Sequence, residues 1–158
     1  MTDSERGNKN PIMSKSTSLY RILSLLLIIN YYRMKNGRRK WKGLNVRVIQ
    51  LYMWGLSGND NADILEKMNK RGGFPTVPFS YNAYVMQLLA YCHVNGFLSI
   101  DKLSKDTVYD LTPKAHVLLT TLKNDDLRKE IDESLARIGL ITKGSSEELR
   151  IDWSDVTY

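Results

Sequence analysis

The stretch "SLYRILSLLLIINYYRMK", from Ser18 to Lys35, constrains the fold of this chain more than any other. Leu19, Ile22, Leu23, Leu26, Ile29 and Tyr32 recur at the i, i+3, i+4 spacing of one helical face. Leu25, Leu27 and Ile28 fill the other sides, so the predicted helix is apolar nearly all round. Such a helix has no face to offer water and is expected between layers of its own domain or against a partner. Its longest apolar run, Ile22 to Ile29 with Ser24 inside it, is far shorter than the roughly 20 residues a membrane helix needs. Burial in protein is therefore expected, with no membrane partner. Ser18 suits the N-cap.

The remaining pattern alternates helices with one short hairpin. "LNVRVIQLYMWGL" reads as a second helix with Asn45 as its cap, Val48, Ile49, Tyr52 and Met53 on one face, and Gly55 near its end. "NADILEKMNK" predicts a short third helix, stopped by Arg71, Gly72 and Gly73. "FPTVPFS" carries two prolines and can be only a short extended segment or an edge strand. It leads into "YNAYVMQLLAYCHVNGF", where Asn82 can cap a helix and Gly96 can end it. Two candidate strands follow, "FLSID" and "TVYDL", with Lys102 to Asp106 between them. Thr112 then caps a helix with Pro113 at its first position. In "DDLRKEIDESLARIGLI", Leu127, Ile131, Leu135 and Ile138 recur at helical spacing. Helix, strand, strand, helix in this order predicts a mainly α fold with a small β wing. It reads as a winged helix-turn-helix domain over residues 18–143 with an added N-terminal helix and a C-terminal helix. Residues 1–17 read as a flexible arm and 144–158 as an acidic tail.

At 158 residues and 42% hydrophobic, the chain suits one core with tails. Charge is unevenly spread. Met1 to Leu122 holds 17 Lys and Arg against 8 Asp and Glu, a balance of +9, whereas Lys123 to Tyr158 holds 6 against 9, a balance of −3. A basic body permits contact with nucleic acid or with an acidic protein face without choosing between them. The single cysteine, Cys92, excludes an internal disulfide and a Cys-rich zinc site. "MTDSERGNKNPIMSKSTS" lacks the continuous apolar core of a signal peptide, so a cytoplasmic location is expected.

No catalytic residue, cofactor site or metal site emerges. His93 and His116 both fall inside predicted helices, with no H-x-x-x-H, H-E-x-x-H or C-x-x-C spacing to supply further ligands. Adjacent helical residues point about 100° apart, so Cys92 and His93 are poorly placed as nucleophile and base. No Gly-rich phosphate loop occurs, and Asp125-Asp126 and Glu147-Glu148 suit a helix start and a solvated tail. The chain reads as non-enzymatic.

In a winged helix that reads DNA, the helix before the wing enters the major groove and offers Arg, Lys, Asn or Gln to base edges. Here that helix, Asn82 to Asn95, has neither Arg nor Lys. With one side on the core, the other is expected to expose Met86, Ala90 or Tyr91, a surface suited to another protein; the alternative is that all three are core. The cations lie instead at Arg33, Lys35, Arg38, Arg39, Lys40 and Lys42, around a turn at Asn36-Gly37. That turn reads either as a solvated loop or as a contact for the DNA backbone or an acidic partner, with Trp41 able to stack. In the wing, Lys102 and Lys105 are offset by Asp101 and Asp106.

The long apolar helix, the basic turn, "VRVIQLYMWGL" and the unit ending "YDLTPKAHVLLTTL" together resemble the small middle components of bacterial ABC three-component defence systems, the group that includes Lamassu. The resemblance covers roughly Ser18 to Lys123 and rests on hydrophobic pattern, size and order of elements. It implies an accessory winged-helix subunit joining an SMC-like ATPase to an effector subunit, often a nuclease, in anti-phage defence. It carries over no binding residues. The competing expectation is a dimeric winged-helix transcriptional regulator that binds double-stranded DNA with sequence preference.

Overall fold

Helix α1 (Ser18–Asn36) is the axis of a mainly helical structure, seen in a computed structural model that describes residues 18–36, 42–71, 76–103, 106–141 and 150–152. Its residues Leu25 to Ile29 are all buried, because other elements close around it. Strand β1 (Leu44–Asn45) leads straight into α2 (Val46–Leu56), and α3 (Asn59–Arg71) follows. After β2 (Thr76–Pro78) come α4 (Phe79–Val94), the hairpin of β3 (Leu98–Leu103) and β4 (Asp106–Leu111), then α5 (Pro113–Thr121), α6 (Asp126–Ile138) and β5 (Arg150–Asp152). Helices α2, α5 and α6 and strands β1 and β4 pack on α1. The flexible arm at 1–17, the cations Arg38, Arg39 and Lys40 with Trp41, Lys105 of the hairpin, and most of the acidic tail lie outside the described residues.

The main sheet is antiparallel with strand order β1-β4-β3. The β3–β4 register runs from Leu98 opposite Leu111 to Leu103 opposite Asp106, and Leu44 and Asn45 pair Tyr109 and Val108 on the other edge of β4. Gly43 makes this last pairing possible: its φ is +114°, and a Cβ there would sit 3.1 Å from both the Tyr109 carbonyl and the Val108 side chain. A second pair, β2 with β5, is parallel, with Pro78 opposite Asp152. A strand therefore forms within the segment read from sequence as an acidic tail.

Local signals account for most boundaries. Asn45 caps α2 by accepting from the Arg47 N–H at 2.7 Å, and Thr112 caps α5 by accepting from Ala115 N–H at 3.3 Å with Pro113 at the first helical position. Asn82 does not stand at the start of the helix: α4 already begins at Phe79, directly after Pro78, whose missing N–H is no loss where a helix starts. The end of α4 is a Schellman turn, with Gly96 at φ +81°, Gly96 N–H donating to His93 O, and Phe97 N–H donating to Cys92 O.

Buried contacts tie the C-terminal helix to the rest. Leu127, Ile131, Leu135 and Ile138 form the buried stripe of α6. Gly55 is an approach point: a Cβ there would meet Leu65 Cδ2 at 2.7 Å and Ile138 Cδ1 at 3.1 Å, which is how closely α3 and α6 pack on α2. Tyr52, fully buried in α2, donates its hydroxyl hydrogen to Gly139 O at 2.7 Å and accepts from Ile141 N–H at 2.9 Å, fixing the chain where it leaves α6. Burial raises its phenol well above the usual range.

Candidate interaction surfaces

Helix α4 carries apolar residues on both faces and contains no Lys, Arg, Asp or Glu. Its inner face, Val85, Leu88, Leu89 and Cys92, repeats at i, i+3, i+4, i+7 and is buried. At 100° per residue the opposite side opens outward: Met86, Gln87, Ala90, Tyr91, His93 and Val94 are exposed and cover roughly 160° of the circumference. Met86 is 41% exposed, Tyr91 52% and Val94 81%. Met86, Ala90 and Tyr91 thus stand outside the core on a contiguous strip, with Val94 extending it. The sequence reading passed over Val94, although its position four residues beyond Ala90 places it there. On the flank, the Arg21 guanidinium of α1 lies 4.7 Å from the centre of the Tyr84 ring, setting a cation beside the strip.

The nominated cations divide. Arg33 is tied to the fold while its side chain stays 41% exposed: its Nη1 donates to His116 Nε2 at 2.9 Å and lies 3.9 Å from Asp110 Oδ1, joining α1 to α5 and β4. Because a guanidinium only donates, His116 Nε2 must be the acceptor. Lys35 and Lys42 are exposed, with Lys35 Nζ 5.8 Å from the Tyr31 ring centre. Arg38, Arg39 and Lys40 fall outside the described residues, so the basic turn is described only at its two ends. On the hairpin, Lys102 is exposed and its backbone N–H bonds Asp101 Oδ1 at 2.8 Å.

Cys92 and His93, side by side at the end of α4, have different surroundings. Cys92 is buried, and desolvation pushes its thiol up to about 11. His93, its neighbour, faces outward and its Nδ1 lies 2.9 Å from Leu98 O, which can only accept, so the ring donates there. The carbonyls of the turn just past α4 accept side-chain donors: Lys114 Nζ donates to Asn95 O at 2.8 Å and the Thr112 hydroxyl donates to Gly96 O at 2.5 Å. Among the described residues, no three His, Cys, Asp or Glu side chains gather as a metal site would require. Within the same residues, no helix is long and apolar enough to cross a membrane. No protein-family model, curated protein or solved structure matches the chain.

Proposed function

We propose that the chain is a non-catalytic accessory subunit of an anti-phage defence complex, bridging an SMC-like ATPase and an effector subunit of nuclease type, with nonspecific contact to double-stranded DNA. The observation that carries this reading is the outer face of α4. An uncharged strip of Met86, Ala90, Tyr91 and Val94 is held outward while the opposite face of the same helix fills the core. Exposed apolar strips of this kind serve protein contacts, and a face without cations is poorly suited to phosphates. The resemblance described from the sequence supplies the classes of partner; the α4 face supplies the reason to expect one.

Within this proposal the scaffold is a winged helix. The strand order β1-β4-β3 and the hairpin directly after α4 support that assignment, and α4 then holds the position of a groove-reading helix. A departure accompanies it: α3 packs on α2 and α6, and the short strand β2 separates it from α4, so no tight turn joins the two helices.

The test is co-purification with the products of the neighbouring genes, which this reading expects to include an SMC-like ATPase and an effector. Met86→Glu is expected to abolish capture while leaving the thermal transition in place; capture that survives Met86→Glu and Tyr91→Asp together would overturn the reading. DNA contact is expected to weaken steeply with salt, and less steeply once Arg38, Arg39 and Lys40 are replaced by Gln. A strong preference for its own promoter over random duplex would instead favour the dimeric regulator.

A further inference from the structure

Two cations beside the outer strip of α4 differ from the arginines elsewhere on the fold. Arg33, Arg128 and Arg137 each meet a carboxylate of the chain, at Asp110, Asp132 and Glu66. Among the described residues, Arg21 and Lys114 meet none. Arg21 rests 4.7 Å from the centre of the Tyr84 ring, while Lys114 donates to Asn95 O at 2.8 Å and lies 4.8 Å from the centre of the Phe97 ring. Their anchor points on α4, Tyr84 and Asn95, are 11 residues apart. Helical bonding still holds at Asn95, whose N–H donates to Tyr91 O at 3.0 Å. Eleven steps of 100° return to within about 20° of the starting direction and rise about 16 Å, so both cations border one edge of the strip, the edge formed by Tyr91.

We infer that the outer face of α4 receives an amphipathic helix of a partner protein, laid nearly along α4, whose apolar stripe is bordered on one side by two acidic residues about 11 positions apart. The inference rests on the reading of this face as a protein contact and adds the chemistry of what it takes. Ala90, small and midway between Met86 and Val94, lets a second helix come close. Charge sets the sign: two cations without carboxylates edge a helix that has no charge of its own. Spacing selects a helix over a strand. On a helix, residues 11 apart share a face, so both carboxylates reach the same edge. An extended segment covers the same 16 Å in about five residues, and an odd step puts the two side chains on opposite faces. A second copy of this chain fits worse. Aligned antiparallel it would set Arg21 against Lys114, and aligned parallel its α4 would offer neither cation an anion.

The probe is the neighbouring-gene product that the full-length chain captures after nuclease treatment. With a benzophenone amino acid in place of Gln87, which is exposed in the middle of the strip, photocrosslinking and mass spectrometry name the segment that lies on it. The expected segment has apolar residues at i, i+3, i+4 and i+7 and two Asp or Glu about 11 positions apart. Arg21→Gln with Lys114→Gln is expected to raise the Kd about three- to tenfold and to flatten its dependence on salt, with the thermal transition in place. Lys35→Gln with Lys102→Gln, an equal loss of charge away from the strip, is the control and is expected to leave the Kd unchanged. Arg21→Glu with Lys114→Glu should be rescued by Lys at the two acidic positions of the partner. A crosslink to a strand, a loop or a second copy of this chain would overturn the inference, as would equal effects of the two Gln pairs. In either case the reading of the face stands if Met86→Glu still abolishes capture. Capture that survives Met86→Glu with Tyr91→Asp, or no capture by the unaltered chain, removes that reading and the inference together.

Discussion

Helices α1 and α4 carry the same kind of sequence and meet opposite fates. Both are apolar on almost every side, yet α1 is wrapped by α2, α5, α6 and the sheet, whereas α4, among the residues whose burial is described, buries Val85, Leu88, Leu89 and Cys92 and exposes most of the rest. The difference lies in their neighbours. α1 gathers elements from both ends of the chain, while α4 receives β2, β3 and β5 along with α2 and keeps its outer strip bare among the described residues. An all-round apolar helix therefore reports that two surfaces must be covered without saying by what; here one helix finds both covers inside the described fold and the other finds one.

The sharpest way to break this contrast is to remove volume from each buried side. Leu26→Ala in α1 and Leu89→Ala on the inner face of α4, both fully buried, are each expected to cost about 2–5 kcal/mol in denaturant unfolding. A cost below about 1 kcal/mol at Leu89 would mean that α4 is loosely seated. Next comes pH. Burial raises the Cys92 thiol from 9.0 to about 11 and raises Tyr20, Tyr31, Tyr52 and Tyr109 as well. These groups hold their protons more tightly folded than unfolded, so their stabilising contribution is complete below about pH 9 and is lost as the pH climbs toward 11 and beyond. Chemical unfolding at pH 8 and pH 10.5 should show that fall, and Cys92→Ala should reduce it.

Smaller effects separate position from burial. Tyr52→Phe removes a hydroxyl that both donates to Gly139 and serves Ile141, and is expected to cost about 1–3 kcal/mol. Met86→Ala, on the outer face, should change stability by no more than about 0.5 kcal/mol, measured by the same unfolding curves. A Met86 cost matching that at Leu89 would erase the distinction between the two faces.

The helical content was legible because helical periodicity is local. Leu127, Ile131, Leu135 and Ile138 follow from spacing alone, as do the caps at Asn45 and Thr112 and the stop at Gly96. What escaped was set by distant chain. Leu44 and Asn45 become a strand because Tyr109 and Val108 offer an edge, and Arg150 to Asp152 become one because Thr76 to Pro78 lie alongside. Arg33 shows the same limit in the candidate site. Within a run of cations it reads as one more unpartnered charge, yet His116, 83 residues away, and Asp110 engage it. For α4, composition predicted a face without cations, but whether Met86, Ala90 and Tyr91 were core or surface depended on which side the hairpin and α2 would take.

The packing of α6 on α1 has a consequence in time. Residues about 100 positions apart must meet before α1 is fully enclosed, so its enclosure depends on a contact of long sequence separation, whose loop-closure entropy must be met first. At about 5–20 residues per second on the ribosome, α1 waits on the order of 5–20 s for α6 to be made. For that interval the most apolar segment of the chain is without its last cover, and nascent-chain holdases have their clearest target at Leu23 to Ile29.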